Sequence, residues 1–129
     1  MTKREERVQA MQILYSADFN GISISKAIEA SIDGEVNNTV MYYINLVENN
    51  LSKIDSIIGN SLINYSLNRL NLVDKAIIRL ATAELIEGSL DKRIIINEAL
   101  EITKEFSDQG DHKAVSFNNR LLDNICKNL

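Results

Sequence analysis

The chain has 129 residues, 45% of them apolar and 25% charged, a mixture typical of a globular protein and not of a disordered or fibrous one. Its net charge of −4 argues against bulk binding of polyanions but leaves room for a local basic patch, because screening limits charge effects to ~8 Å at physiological salt. Short apolar runs, a polar amino terminus and a single cysteine, Cys126, predict a cytoplasmic protein with no membrane segment, secretory signal or internal disulfide.

The first half of the chain has the periodicity of helices. Apolar residues recur on one helical face of segment 3–19, and Ser23 or Ser25 can cap a short helix after it. From Asn38 one long helix is expected to run through residues 38–58, with Gly59 inside it or near its end.

The second half continues in the same way. Segments 67–87, 93–106 and 113–128 each carry an apolar face at helical spacing. The isoleucine triplet at 94–96 is the best candidate for a strand, but the polar residues directly after it favour a helix start. We therefore expect an all-α fold, a compact single-domain bundle of six to seven helices over residues 1–129.

Catalytic and metal-binding side chains are scarce. The only histidine, His112, lies in the polar stretch 107–112 and is expected in an exposed loop. One histidine and one cysteine cannot build the usual zinc site, and no glycine-rich phosphate loop precedes a helix. The acidic pair Glu5-Glu6 is expected on a solvated helix face. The sequence therefore predicts no enzyme, no cofactor and no metal.

Three stretches, in this order and at these distances, resemble one family. The first is RxxRxxAMQILY at 4–15, and the second is LVDKAIIRLA at 72–81 with Glu84-Leu85 behind it. The third is INEALE at 96–101, followed by FxNxLLD at 117–123. Together they resemble the bacterial transcription antitermination factors of the NusB family over essentially the whole chain.

The resemblance implies an all-helical protein that binds the boxA element of ribosomal RNA leaders as single-stranded RNA. It also implies a heterodimer with NusE, a small-subunit ribosomal protein, and action within the transcription elongation complex. Whether the free protein is a monomer or a homodimer stays open. Two other functions stay open as well: a protein-only adaptor that keeps the NusE surface without RNA affinity, and a stand-alone accessory domain of a ribosomal RNA methyltransferase.

Two basic lines are candidates for RNA contact, one at the start of the first helix and one along the last. Arginine forks fit phosphates and base edges, and Phe117 either stacks on an unpaired base or packs in the core. The candidate RNA-binding residues are Lys3, Arg4, Arg7, Lys113, Phe117 and Arg120. Arg120 stands where the family usually has glycine, and Asn118 stands where it usually has an apolar residue. Arg120 could therefore either block close approach of RNA or add a phosphate contact.

The resemblance also implies a partner surface. Tyr15 and Asp74 match family positions that face NusE, and Phe19 and Asn68 fall close to them. A basic ribosomal protein would find complementary charge at Asp74. Tyr15 serves equally well as a core residue, because its ring is apolar and its hydroxyl polar.

The polar pair Asn97-Glu98 follows the isoleucine triplet. We expect it in the first turn of its helix, where a carboxylate meets the positive end of the helix dipole. Arg79 and Glu84 are the predicted ionic partners of Glu98, within a buried polar network that fixes how two helices dock. We interpret this motif as a signature of the fold and not as a binding site.

Overall fold

Seven α-helices and one 3-10 turn form the fold of the computed structural model, which describes residues 1–129 and contains no strand. In chain order they are α1 Lys3–Asn20, α2 Ile24–Glu29, α3 Asn38–Glu48, α4 Leu51–Ser61, the 3-10 turn Leu67–Arg69, α5 Leu72–Glu87, α6 Lys92–Phe106 and α7 Lys113–Lys127. The all-α prediction of six to seven helices is confirmed. No helix combines the length and the apolarity that crossing a bilayer requires.

Helix α5 lies at the centre of the bundle. It packs against α1, α3, α4, α6 and α7, and it is apolar or small on most of its circumference because neighbours surround it. A single cluster of 24 buried apolar residues fills the space between the helices. Among its largest fully enclosed members are Ile44, Ile58, Ile78, Leu122 and Ile125.

Polar residues set the ends of the first helices. Thr2 and Glu5 form a reciprocal cap at the start of α1, in which each side chain accepts a hydrogen bond from the other's backbone N–H. Ser23, one of the two serines predicted to do so, caps α2. Asn37 caps α3 and donates a 2.9 Å hydrogen bond to Glu6, which joins the starts of α1 and α3. The prediction of an exposed Glu6 is therefore wrong, since that residue is only 7% exposed.

The long helix predicted over residues 38–58 is broken. The Nδ2 atom of Asn50 donates to the carbonyl oxygen of Leu46 at 2.9 Å, and Asn50 leaves helical geometry with φ −129° and ψ 19°. Asparagine side chains compete with the backbone for such carbonyls, which weakens a helix interior. The break lets α3 pack on α1 and α5 while α4 packs on α5 and α7. Gly59 lies inside the last turn of α4.

Candidate nucleic-acid and partner interfaces

Arg7, a predicted RNA contact, lies inside the protein. The residue is 5% exposed, and its Nε and Nη2 atoms each donate a 2.9 Å hydrogen bond to the carboxylate of Glu84. Its guanidinium also lies 5.2 Å from the ring centroid of Tyr43. Hydrogen bonding to Glu84 raises the pKa of Arg7, so the guanidinium keeps its positive charge. The assignment of Arg7 to the RNA surface is wrong, because a buried guanidinium occupied by Glu84 cannot reach a phosphate.

Arg4, one turn earlier, is at the surface but is also paired. Its Nε and Nη2 atoms donate to the carboxylate of Glu98 at 2.8 and 3.0 Å. The hydrogen bond from Arg4 lowers the pKa of Glu98, while Glu101 and Glu105 add further negative charge beside Arg4. The exposed ammonium of Lys3 lies 3.8 Å from the carboxylate of Glu6. Much of the positive charge at the start of α1 is therefore already compensated.

The expected partners of Glu98 were wrong. Arg79 instead donates two hydrogen bonds of 2.8 and 2.9 Å to Asp55 and lies 3.6 Å from Asp18, which joins α5 to α4 and α1. Glu98 still belongs to a bridge between helices, but its partner Arg4 comes from α1 and the bridge is partly exposed.

The placement of Asn97-Glu98 in a first turn was also wrong. The Asp91 side chain caps α6 by accepting a hydrogen bond from the backbone N–H of Arg93 at 2.8 Å, so the helix begins at Lys92. Asn97 and Glu98 consequently fall in the second turn, beyond the free backbone donors of the helix start. The isoleucine triplet lies inside the helix and not on a strand.

Asp74, predicted to face NusE, is buried as well. Its residue is 7% exposed, and its carboxylate accepts hydrogen bonds from Asn71 at 2.7 Å and from Asn118 at 3.1 Å. Asn118 is fully enclosed and also donates to the hydroxyl of Thr103 at 3.1 Å, whereas its own Oδ1 has no partner. These contacts connect α5, α6 and α7. Asp74 is therefore part of an interior polar network, and its assignment as an exposed partner contact is wrong.

Tyr15 and Phe19 border an open groove of about 310 Å³ between the first helix and the start of α5. Their rings stack with centroids 5.6 Å apart, and Phe19 is 63% exposed. The other lining residues are Asn71, Leu72, Val73, Phe106, Ser107 and Gln109. We call this set the partner groove. Asn68 lies outside it, exposed in the 3-10 turn. The groove position of Phe106 was missed because its spacing in α6 also fits a core residue.

The last helix presents the second basic line. Lys113 and Arg120 are exposed on α7, and Lys113 lies 3.9 Å from Asp111. Phe117 is partly buried and meets Tyr65 edge-on, with ring centroids 5.4 Å apart. Phe117 and Arg120 also border a pocket of about 170 Å³. Part of the Phe117 ring thus packs on the core, as one prediction had it, and part faces the pocket, where stacking on a base stays a prediction.

Two residues were missed by the sequence analysis: Tyr65, which contacts Phe117, and Arg69, which lies over Tyr65. Tyr65 and Arg69 lie in the segment between α4 and α5, and the Arg69 guanidinium carbon is 4.6 Å from the ring centroid of Tyr65. The four-residue spacing of an aromatic and an arginine is the only sequence signal for this pair. His112 lies exposed at the start of α7, as predicted, and no cluster of three or more metal-ligating side chains is present.

These features define a class: an all-α binding protein in which ion pairs and buried amides join the helices and the open sites are surface grooves. The sequence model that describes the NusB family matches residues 4–127. The chain therefore belongs to the NusB family of transcription antitermination proteins. The resemblance found in the sequence is thereby confirmed.

Individual relatives match over nearly their whole length. The transcription antitermination protein NusB of Clostridium botulinum is 36% identical over 135 aligned positions, which cover 98% of this chain and 99% of the relative. The structure of NusB from T. maritima is 30% identical, with a TM-score of 0.83 over 98% of this chain and 92% of that one. The crystal structure of antitermination factors NusB and NusE in complex with dsRNA shares the fold, with a TM-score of 0.78 and 24% identity over the full length of both chains.

Proposed function

We propose that this protein is an antitermination factor that binds boxA-type ribosomal RNA leader together with NusE and so promotes processive transcription of ribosomal RNA. Membership of the NusB family supports this function. In this proposal the chain acts as one RNA-binding helical domain in the cytoplasm, as an adaptor within the transcription elongation complex and not as an enzyme.

The partner groove is the observation that carries the proposal. Phe19 is a large aromatic side chain with most of its surface in water, and it stacks on Tyr15 at the rim of an apolar depression. Exposed aromatic side chains beside a pocket are typical of the residues that dominate binding energy at protein interfaces. NusE is the proposed occupant. The crystal structure of NusB with NusE and dsRNA shows a relative of this fold in such an assembly.

The proposed RNA surface rests on the residues that the fold leaves accessible. Lys3, Lys113, Phe117 and Arg120 keep at least part of their side chains in solvent, and Arg4 is half exposed although it pairs with Glu98. Basic side chains beside a partly exposed aromatic ring suit single-stranded RNA, because the charges bind phosphates and the ring stacks on bases.

A protein-only adaptor is the second candidate function. It is favoured by the pairing of Arg7 with Glu84 and of Arg4 with Glu98, which removes two arginines from the surface available to RNA. In this alternative the partner groove still binds NusE.

A titration with RNA separates the two functions. The purified chain is titrated into labelled single-stranded boxA-type RNA and into a scrambled RNA of equal length, each with and without NusE. We expect NusE binding in both functions and tighter binding of boxA-type RNA in the presence of NusE only for the antitermination factor. NusE binding without RNA affinity at any salt concentration would favour the protein-only adaptor. Absence of NusE binding would contradict both.

A further inference from the structure

The guanidinium of Arg69 lies over an aromatic ring at the protein surface. Its guanidinium carbon lies 4.6 Å from the ring centroid of Tyr65, and the Tyr65 hydroxyl donates a 2.9 Å hydrogen bond to the backbone carbonyl of Arg69. Tyr65 is fixed in turn by its edge-on contact with Phe117. Arg69 nevertheless remains exposed. The guanidinium thus lies against one ring while solvent has access to the residue, and arginine can stack its planar guanidinium on an aromatic face in a way that lysine cannot.

The charge of Arg69 is uncompensated, unlike that of most arginines in this chain. Arg4, Arg7, Arg79 and Arg93 each form an ion pair with a carboxylate. Arg69 and Arg120 form none, although Asp123 follows Arg120 one turn later on α7. Within a protein of net charge −4, positive charge free for an anionic ligand is therefore found beside the Tyr65–Phe117 pair.

The pocket beside Phe117 completes the arrangement. Its volume is about 170 Å³, and Leu62, Ile63 and Leu121 give it an apolar lining with Arg120 and Asn124 as polar members. Ile63 is 72% exposed at this rim. An apolar depression next to an arginine and an aromatic edge suits a flat, uncharged base attached to a charged backbone, which is the chemistry of an unpaired nucleotide.

We propose that Arg69, stacked on Tyr65, is a platform on which an unpaired base of the RNA stacks, with Arg120 binding a neighbouring phosphate across the Phe117 pocket. This site rests on the proposed RNA-binding function and adds two residues, Tyr65 and Arg69, that the sequence analysis did not include. It also moves the main RNA contact from the start of α1, where the arginines are paired, to the face formed by α4, the 3-10 turn and α7. The occupant is single-stranded RNA, because a duplex keeps its bases stacked on each other and offers none to the platform.

The test separates the contribution of the planar guanidinium of Arg69 from that of its positive charge. Binding of a labelled single-stranded RNA of about 12 nucleotides is measured by fluorescence anisotropy at several salt concentrations, for the whole chain with NusE present. We expect Arg69→Ala to weaken binding about 5- to 100-fold. Arg69→Lys keeps the charge but loses the stacking plane, so we expect it to retain the salt dependence of the wild type while recovering little of the affinity. Arg120→Lys should bind nearly as well as the wild type, since a phosphate contact requires charge more than shape.

Arg93→Ala is the matched control. It removes an exposed arginine at the start of α6 whose partner is Asp91, so net charge changes by the same amount as in Arg69→Ala. We expect its RNA affinity to equal that of the wild type. A second readout uses RNA with 2-aminopurine in place of one adenine, because the emission of this base falls when it stacks. The wild type should quench it at one position of the RNA, and Arg69→Lys should quench it less. Urea unfolding of each variant shows that the fold is retained.

The outcomes separate this site from the function on which it rests. Absence of RNA affinity in the wild type would overturn the proposed function and this site together. Normal affinity and normal quenching in both Arg69 variants, with a wild type that binds RNA, would overturn the platform alone. An equal loss of RNA affinity in Arg69→Ala and Arg93→Ala would also overturn the platform, because the change in net charge alone would then explain the effect.

Discussion

The guanidinium of Arg7 donates two hydrogen bonds of 2.9 Å to the carboxylate of Glu84, and both residues are less than a tenth exposed. The pair joins α1 to the central helix α5, with Tyr43 of α3 against the guanidinium. Because both charged side chains are largely removed from water, each depends on the other for its hydrogen bonds. An arginine whose sequence position suggests RNA contact is thus part of what holds three helices together.

The first prediction follows from this pair. Arg7→Ala should lower the free energy of unfolding by about 3–5 kcal/mol, because it leaves the Glu84 carboxylate buried without its partner. The double variant Arg7→Met, Glu84→Leu should recover most of this loss, since apolar side chains of similar volume need no partner. Urea unfolding at neutral pH measures both, with Arg93→Ala as an exposed control. Unchanged stability together with weaker RNA binding in Arg7→Ala would return Arg7 to the RNA surface.

The second prediction concerns Asp74. Asp74→Asn should lower the free energy of unfolding by about 1–3 kcal/mol, because the amide donors of Asn71 and Asn118 lose a charged acceptor. Asp74→Lys should cost more, since an ammonium would enter a site built from amide donors. Asp123→Lys, at an exposed position of α7, is the control and should change stability by less than about 0.5 kcal/mol. If Asp74→Lys unfolds like the wild type while NusE binding falls, Asp74 faces the partner after all.

Helix content could be predicted from the sequence because apolar periodicity is a local property. The segments around α1, α6 and α7 carry it clearly, and their ends in the structure lie within one residue of those predicted. Helix α5 instead begins at Leu72, five residues after the start of the predicted segment 67–87. The break between α3 and α4 was missed because the apolar spacing continues through it. The helix is interrupted there by a hydrogen bond from the Asn50 side chain to a backbone carbonyl. The apolar periodicity of the sequence carries no information about such a bond.

The sites were harder to predict because burial is a tertiary property. Arg4 and Arg7 are one turn apart and lie on the same side of α1. Arg7 is nevertheless buried with its partner Glu84, whereas Arg4 pairs with Glu98 and stays half exposed. Those carboxylates are 77 and 94 residues away in the chain, so no local pattern distinguishes the two arginines. The stacked pair Tyr15–Phe19 was accessible to sequence reasoning because four-residue spacing within one helix brings side chains together.

The third prediction uses the pKa of Glu98, which the hydrogen bond from Arg4 lowers. The folded state therefore holds the Glu98 proton less tightly than the unfolded state, so the stabilisation is complete above the ordinary glutamate pKa of about 4.3. It is lost as pH falls through the lower folded-state value. We expect Arg4→Ala to flatten the dependence of unfolding free energy on pH below about 4.3, with Lys53→Ala as an unpaired control. A pH dependence identical to that of the wild type would contradict the contribution of this bridge.

The last prediction tests the partner groove through its most exposed aromatic residue. Phe19 stacks on Tyr15 but leaves 63% of its surface exposed, so Phe19→Ala should change the free energy of unfolding by less than about 1 kcal/mol. The same change should weaken NusE binding about tenfold or more, because an aromatic side chain at the rim of an apolar groove loses most of its contact area with a partner. Ile32→Ala is the control, since Ile32 is fully exposed in a different part of the surface, after α2. Isothermal titration calorimetry with NusE measures affinity, and urea unfolding measures stability. Equal NusE affinity in Phe19→Ala and Ile32→Ala would place the partner on another face of the bundle, whereas loss in Phe19→Ala alone ties NusE to the stacked pair of α1.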